Sequence, residues 1–258
     1  MRKLIITLLV VLMASTTLSA VAFKGKAEVG TSTKDVFRGD VVEDGMVINP
    51  NLRLRIGRLS FKANSVFNLN EMHMTRTYLT AAFEIGLDNG LMLTPFVSYH
   101  HFWPETLDSI TKDLFDSTAE AGLRLHYNLY GRTFNKAHDF AVSLYSTHYL
   151  NVQSDIGAYR GNLGIKMVDI FGKMGIGFSA DVSWGWYVED NKIENVEIPN
   201  IQLPHTLNTQ AYFMLNLTDN LYVKAHGEVT ITINPEMRDA LGDDAQIYVG
   251  GVNVGMEF

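Results

Sequence analysis

Gln246-Ile-Tyr-Val-Gly-Gly-Val-Asn-Val-Gly-Met-Glu-Phe258 alternates without a break. Gln246, Tyr248, Gly250, Val252, Val254, Met256 and Phe258 share one face, and Ile247, Val249, Gly251, Asn253, Gly255 and Glu257 share the other, as successive residues of an extended strand must. The first face is largely apolar. The second is mostly small or polar. The same two-residue period recurs upstream. In 174–187, Met174, Ile176, Phe178, Ala180, Val182, Trp184 and Trp186 oppose Gly175, Gly177, Ser179, Asp181, Ser183, Gly185 and Tyr187. In 221–234, Leu221, Val223, Ala225, Val229, Ile231 and Ile233 oppose Lys224, His226, Glu228, Thr230 and Thr232. Strands of this kind bury one face, against either a protein core or lipid, and alternation alone does not say which.

The other end of the chain decides. Arg2 and Lys3 precede the apolar run Leu4 to Met13, small residues follow, and Ala20-Val21-Ala22 completes the pattern of a cleaved export signal, residues 1–22. Its apolar core falls short of the roughly 20 residues a membrane helix needs. The chain has no cysteine, which excludes lipid attachment through a thiol and any disulfide framework. Phe258, reached in mid-alternation, resembles the terminal signal read by the bacterial barrel-assembly machinery. An exported chain of this pattern is expected to be all-β, an antiparallel transmembrane β-barrel of the bacterial outer membrane filling residues 23–258. Its expected partners are outer-membrane lipids, periplasmic chaperones and that assembly machinery. A hydrophobic content of 47% and a mean hydropathy of +0.02 agree with this, since only alternate residues of a membrane strand face lipid.

Alternation is found at 23–37, 47–57, 59–69, 76–87, 91–102, 117–130, 139–150, 157–170, 174–188, 205–217, 221–234 and 245–258, which predicts about twelve strands. Short turns at Gly57-Arg58, Asp88-Asn89-Gly90, Phe171-Gly172-Lys173 and Thr218-Asp219-Asn220, and a medium one at 131–138, alternate with longer loops. This sorting, on an even number of strands, places both termini in the periplasm. Pro95 cannot donate a ladder hydrogen bond, so a bulge is expected in the fifth strand. Trp184, Trp186, Tyr187, Tyr99, Phe102 and Trp103 are expected at the outer membrane interface, and Phe258, Phe171, Tyr127 and Tyr222 near the other rim.

The polar faces carry Lys24, Lys26, Arg53, Arg55, Lys62, Arg124, Arg160, Lys166 and Lys224 against Glu28, Glu84, Glu120, Asp181, Glu228 and Glu257, with His226 among them. These are the candidate pore-lining residues. Five of the cations, Lys24, Lys26, Arg53, Arg55 and Lys62, lie on the first three strands and form a basic arc, which in a narrow pore favours anions. Ion pairing with Glu28, Glu228 and Glu257 would instead plug the interior, and closure of strand twelve on strand one should bring Lys24 near Glu257. Loop charge accounts for much of the net charge of −7: Asp40, Glu43 and Asp44; Glu105, Asp108, Asp113 and Asp116; Glu189, Asp190, Glu194 and Glu197; Glu236, Asp239, Asp243 and Asp244. Such loops keep the mouth solvated or hold divalent cations against lipid head groups, and they repel anions before the basic wall is reached.

Enzymatic readings find little purchase. A nucleophile triad needs a serine, a histidine and an orienting group on adjacent strands; the nearest approach is Ser146 with His148, beside His126. Asp243, Asp244 and His205 match no protease pattern. His100 and His101 are consecutive strand residues and point to opposite faces, so they do not form one metal site. No phosphate loop, zinc spacing or nucleic-acid-binding pattern occurs. No cofactor or metal is expected.

Val29-Gly-Thr-Ser-Thr-Lys-Asp-Val-Phe37-Arg38-Gly39, followed by Asp44 and Asn49-Pro50, resembles the first-strand signature of the TorF-type porins. In that signature a Ser/Thr-rich strand ends in an aromatic-Arg-Gly, and a proline follows in strand two. The resemblance spans about 30 residues and departs at Asp35, where an aromatic is usual, and at Asp40-Val41, where Ser-Gln is usual. It implies a small outer-membrane barrel and passive diffusion of small hydrophilic solutes or ions. The alternative from the residues themselves is a closed barrel that acts through its acidic loops.

Overall fold

The computed structural model describes residues 23–258, apart from 38–39, 88–89, 104–117, 136–137, 152–157, 188–191, 194–195, 198–201, 236–237 and 239–241. The export signal and most of the acidic loop residues lie outside the described part.

Twelve antiparallel strands form one circle. They are β1 (Phe23–Phe37), β2 (Asp40–Ile56), β3 (Leu59–Asn68), β4 (His73–Phe83, continued by Ile85–Gly86), β5 (Leu91–Phe102) and β6 (Thr118–Asn135). Then come β7 (His138–Asn151), β8 (Ala158–Phe171), β9 (Met174–Tyr187), β10 (Gln202–Asn216), β11 (Leu221–Thr232) and β12 (Gln246–Glu257). Each strand pairs with its chain neighbours, and β1 pairs with β12, which leaves no free edge. A two-stranded ribbon, Lys192–Ile193 with Val196–Glu197, lies between β9 and β10. Closure answers a physical demand, because an unpaired peptide group in hydrocarbon costs several kcal/mol.

Contacts between strands that are not neighbours identify the concave side. Arg76 on β4 reaches Asp35 on β1 at 2.7 Å, past two intervening strands, and the Tyr145 hydroxyl on β7 donates to Asp181 on β9 at 2.8 Å, past one. With neighbouring strands about 4.8 Å apart, such reach exists only inside the curve. The inner face is therefore the polar one. The opposite face carries an apolar belt in which Leu79, Val97, Leu123, Leu144, Leu163, Ile176, Phe213 and Val254 are 37–54% exposed. In water that belt would be an extended apolar patch far beyond what soluble monomers show; in lipid it is in its own solvent. No described helix is long and apolar enough to cross a membrane, and the strands serve instead.

Several expectations need correction. Asp40, Glu43 and Asp44 belong to β2, paired with Phe37, Asp35 and Lys34, because β1 and β2 extend their hairpin beyond the membrane belt. Residues 131–135 continue β6. No register shift accompanies Pro95: pairing of β4 with β5 lapses opposite Pro95 and Thr94, then resumes in the same register at Ile85↔Leu93. A missing N–H breaks one link without adding a residue. Phe102 and Tyr222 are buried on the inner face, whereas Tyr99, Trp103, Tyr127 and Phe171 are exposed.

The seam places Lys26, rather than Lys24, opposite Glu257. The Gly25 N–H donates to the Phe258 carbonyl at 2.6 Å, and the Phe258 N–H returns to the Gly25 carbonyl at 2.8 Å. A Cβ on Gly25 would fall inside the Phe258 ring, so glycine is what lets the terminal aromatic lie flat across β1.

Candidate functional site in the barrel lumen

Alternation, with the registers above, carries Lys24, Lys26 and Glu28 of β1, Arg53 and Arg55 of β2, Lys62 of β3, and Glu120 and Arg124 of β6 to the concave side. Arg160 and Lys166 of β8, Asp181 of β9, Lys224, His226 and Glu228 of β11, and Glu257 of β12 join them. Glu84, in the break within β4, reaches Arg55 at 2.6 Å.

Two groups of contacts organise these residues. At the seam, Glu28 is the hub: Lys26 lies at 3.6 Å, Lys224 at 3.8 Å, the Asn253 amide donates at 2.7 Å and the Tyr222 hydroxyl donates to its other oxygen. Lys26 also stands 3.9 Å from Glu257 and 4.5 Å above the Tyr222 ring. On the far wall Asp181 accepts from Tyr145, from Ser183 at 3.1 Å and from Asn208 at 3.0 Å, and Thr230 donates to Asn208 at 3.1 Å. Asp181 is thus held by neutral donors alone, while Glu28 is held by cations and neutral donors together. The expected pairing therefore occurs at Glu28 and Glu257, and Glu228 has no described ion pair.

Exposure on the inner face follows the barrel axis. Near the rim of the short turns, Lys24, Arg53, Arg55, Lys166 and Glu257 are open to solvent. Toward the other rim, Asp35, Ser98, His100, Glu120, Thr206, Thr230 and Thr232 are buried. That half contains two close contacts between nearly dry side chains, the ion pair of Asp35 with Arg76 and the approach of His100 Nε2 to Glu120 at 3.2 Å. Side chains of the inner face are thus exposed at the turn rim and buried toward the other.

The basic arc and Glu28 follow from alternation alone, but Asp35, Arg76, His100, Tyr145, Tyr222, Asn208 and Asn253 do not stand out in the sequence. Asp35 lies beyond a register shift between Ser32 and Lys34, where β2 carries an extra residue, and faces inward outside the parity of Lys24, Lys26 and Glu28. Arg76 keeps the unbroken register of Lys62↔Thr80 and so shares the inner face with Tyr78 and Thr80.

Ser146 and His148 share the outer face, near the outward-facing Leu144 and Leu150, while His126 of β6 faces the lumen. Ser146 Oγ and His148 Nε2 are 2.8 Å apart, and His148 Nδ1 is 2.6 Å from the Tyr159 hydroxyl. The Ser146 hydroxyl donates to the Asn162 carbonyl at 2.6 Å, which leaves His148 Nε2 to donate to Ser146 and Nδ1 to accept from Tyr159. The chain of protons runs away from the histidine, opposite to what an activated serine needs.

No family model and no curated protein matches the sequence. Among solved structures, the chain is similar to the COG4313 outer membrane channel from Pseudomonas putida F1, at 13% identity over 94% of this chain and 97% of that one, with a TM-score of 0.54. The KdgM porin aligns over 90% and 99% at 9% identity and a TM-score of 0.49. Omp33 of Acinetobacter baumannii aligns over 92% and 98% at 11% identity and 0.44. At such identities the likeness is one of fold, the closed antiparallel barrel of outer-membrane proteins.

Proposed function

We propose that the protein is a narrow, water-filled channel of the bacterial outer membrane, passing small hydrophilic solutes or ions with a preference for anions. The observation that carries this reading is the exposure of Lys24, Arg53 and Arg55 on the inner face, whose charges remain hydrated although they belong to a membrane barrel. A charged, wet inner face inside an apolar belt has a physical purpose when ions pass along it. The resemblance to TorF-type porins and the fold shared with an outer membrane channel both accord with it. The short turns then lie in the periplasm with both termini, and the acidic loops face outward. Refolded protein in a planar bilayer is expected to give discrete conductance steps, and a salt gradient a reversal potential of the sign for anion preference. Silent insertion of a protein with heat-modifiable gel mobility would defeat the reading. A closed barrel acting through its surface would then lead, and the buried contacts of Asp35 with Arg76 and His100 with Glu120 are what favour it.

The protein is not an enzyme on this reading. Backbone N–H groups around Ser146 are engaged in the ladders to β6 and β8, which leaves no donors to stabilise an oxyanion. Incubation with a fluorophosphonate serine probe or a short-chain phospholipid is expected to give neither labelling nor hydrolysis above that of Ser146→Ala. Labelling lost in Ser146→Ala would overturn this.

A further inference from the structure

We infer that Arg53, Lys62 and Arg124 form a binding site in the lumen for a compact solute bearing two or more anionic groups, carboxylate or phosphate. The inference rests on the channel reading and names the class of solute that the channel selects.

The lumen treats its cations in two ways. Lys26, Arg55, Arg76 and Lys224 each have a carboxylate oxygen within 3.9 Å. Arg53, Lys62 and Arg124 have none among the described residues. Yet these three do not stand independently. Arg53 and Lys62 are direct partners across the β2–β3 ladder, where like charges repel. Lys62 also lies within electrostatic reach of Arg124 and Arg76. Of that group only Arg76 has a counter-charge, Asp35. Repulsion without a compensating carboxylate is costly in a partly dry wall, and a bound anion removes the cost.

The surroundings favour holding the cations in place. Lys62 Nζ stands 5.2 Å above the Tyr78 ring, and the Arg124 guanidinium 4.4 Å above the Phe96 ring. Rings attract the cations without neutralising them. Thr80, opposite Lys62, shares a 3.2 Å hydrogen bond with Ser98, and Thr94 lies opposite Arg124. Buried hydroxyls thus stand beside the charges.

Spacing sets the valence. Arg53 and Lys62 are adjacent and suit one anionic group; Arg124 stands on β6, three strand steps from β3 and four residues along from Glu120, the residue level with Lys62, on the order of 20 Å of wall between backbones. Long side chains shorten that gap, and a solute with two separated anionic groups spans it. A monovalent anion engages one end only.

The test uses the full-length barrel in a planar bilayer carrying a chloride current, with citrate as the probe and acetate at equal ionic strength as the reference. Citrate is expected to reduce the current in a saturable manner and acetate is not. Lys62→Gln and Arg124→Gln are each expected to raise the half-blocking concentration about tenfold, equivalent to about 1.4 kcal/mol. A channel that conducts chloride while citrate acts no better than acetate, or whose block survives both substitutions, overturns the site and leaves the channel reading standing. If no current appears, the channel reading fails by itself. Calorimetric titration of the detergent-solubilised barrel with citrate then decides: binding lost in both variants supports the site, and absence of binding overturns it.

Discussion

An Arg76→Met barrel is expected to unfold from lipid vesicles at markedly lower urea than the parent, with a loss of about 3–5 kcal/mol, the usual cost of stranding one charge of a buried pair. Asp35 and Arg76 are 6% and 12% exposed at their side chains and 2.7 Å apart, so removal of the guanidinium leaves a carboxylate with little water. Coulombic attraction alone is a poor guide to the net value of the intact pair, because both groups gave up hydration to form it. The double variant Asp35→Leu/Arg76→Met is therefore expected to regain most of the loss. Tryptophan fluorescence during urea titration measures all three proteins. Equal midpoints for parent and Arg76→Met would show that water still reaches Asp35.

Glu28→Gln is expected to have two effects at once. Stability falls by about 1.5–3 kcal/mol, because hydrogen bonds that Tyr222 and Asn253 now donate to an anion become bonds to a neutral amide. Conduction changes in the other direction: Lys26 and Lys224 lose their shared counter-charge, and the reversal potential moves further toward anions. Glu28→Asp separates the two, since it keeps the charge but withdraws it from Tyr222 by one methylene. It is expected to lose stability with little change in selectivity. A reversal potential unmoved by Glu28→Gln would mean that ions do not pass the seam.

Much of the fold was legible because lipid imposes a strict period of two, and in a strand such as 174–187 that period is unbroken. Boundaries failed where the reason for alternation lapses. Asp40, Glu43 and Asp44 read as a loop, yet they extend β2 outside the membrane, where a hairpin needs no apolar face. Inner residues were legible while parity held and illegible after a register shift, which is why Lys34 looks inward in the sequence and Asp35 is inward in the fold. Phe102 and Tyr222 misled for another reason. Aromatic character suggests an interface, but a ring folded over a neighbouring glycine packs the lumen equally well: a Cβ at Gly255 would meet the Tyr222 ring. The pairing of individual cations was beyond the sequence altogether, since it depends on strands that are neighbours in space and remote in the chain.

The β1–β12 seam has a consequence for biogenesis. Glu28 and Asn253, joined at the seam, are 225 residues apart, and bringing such distant segments together costs about 5 kcal/mol in chain entropy beyond the constant of loop closure. Eleven strands gain nothing from the seam until the twelfth arrives. Vectorial synthesis therefore yields intermediates with two raw edges, each a template for the wrong partner. A product truncated before Gln246 never loses them, so hydrogen-bond closure doubles as a proofreading step: only a chain that contributes β12 presents lipid with a wall that has no edge.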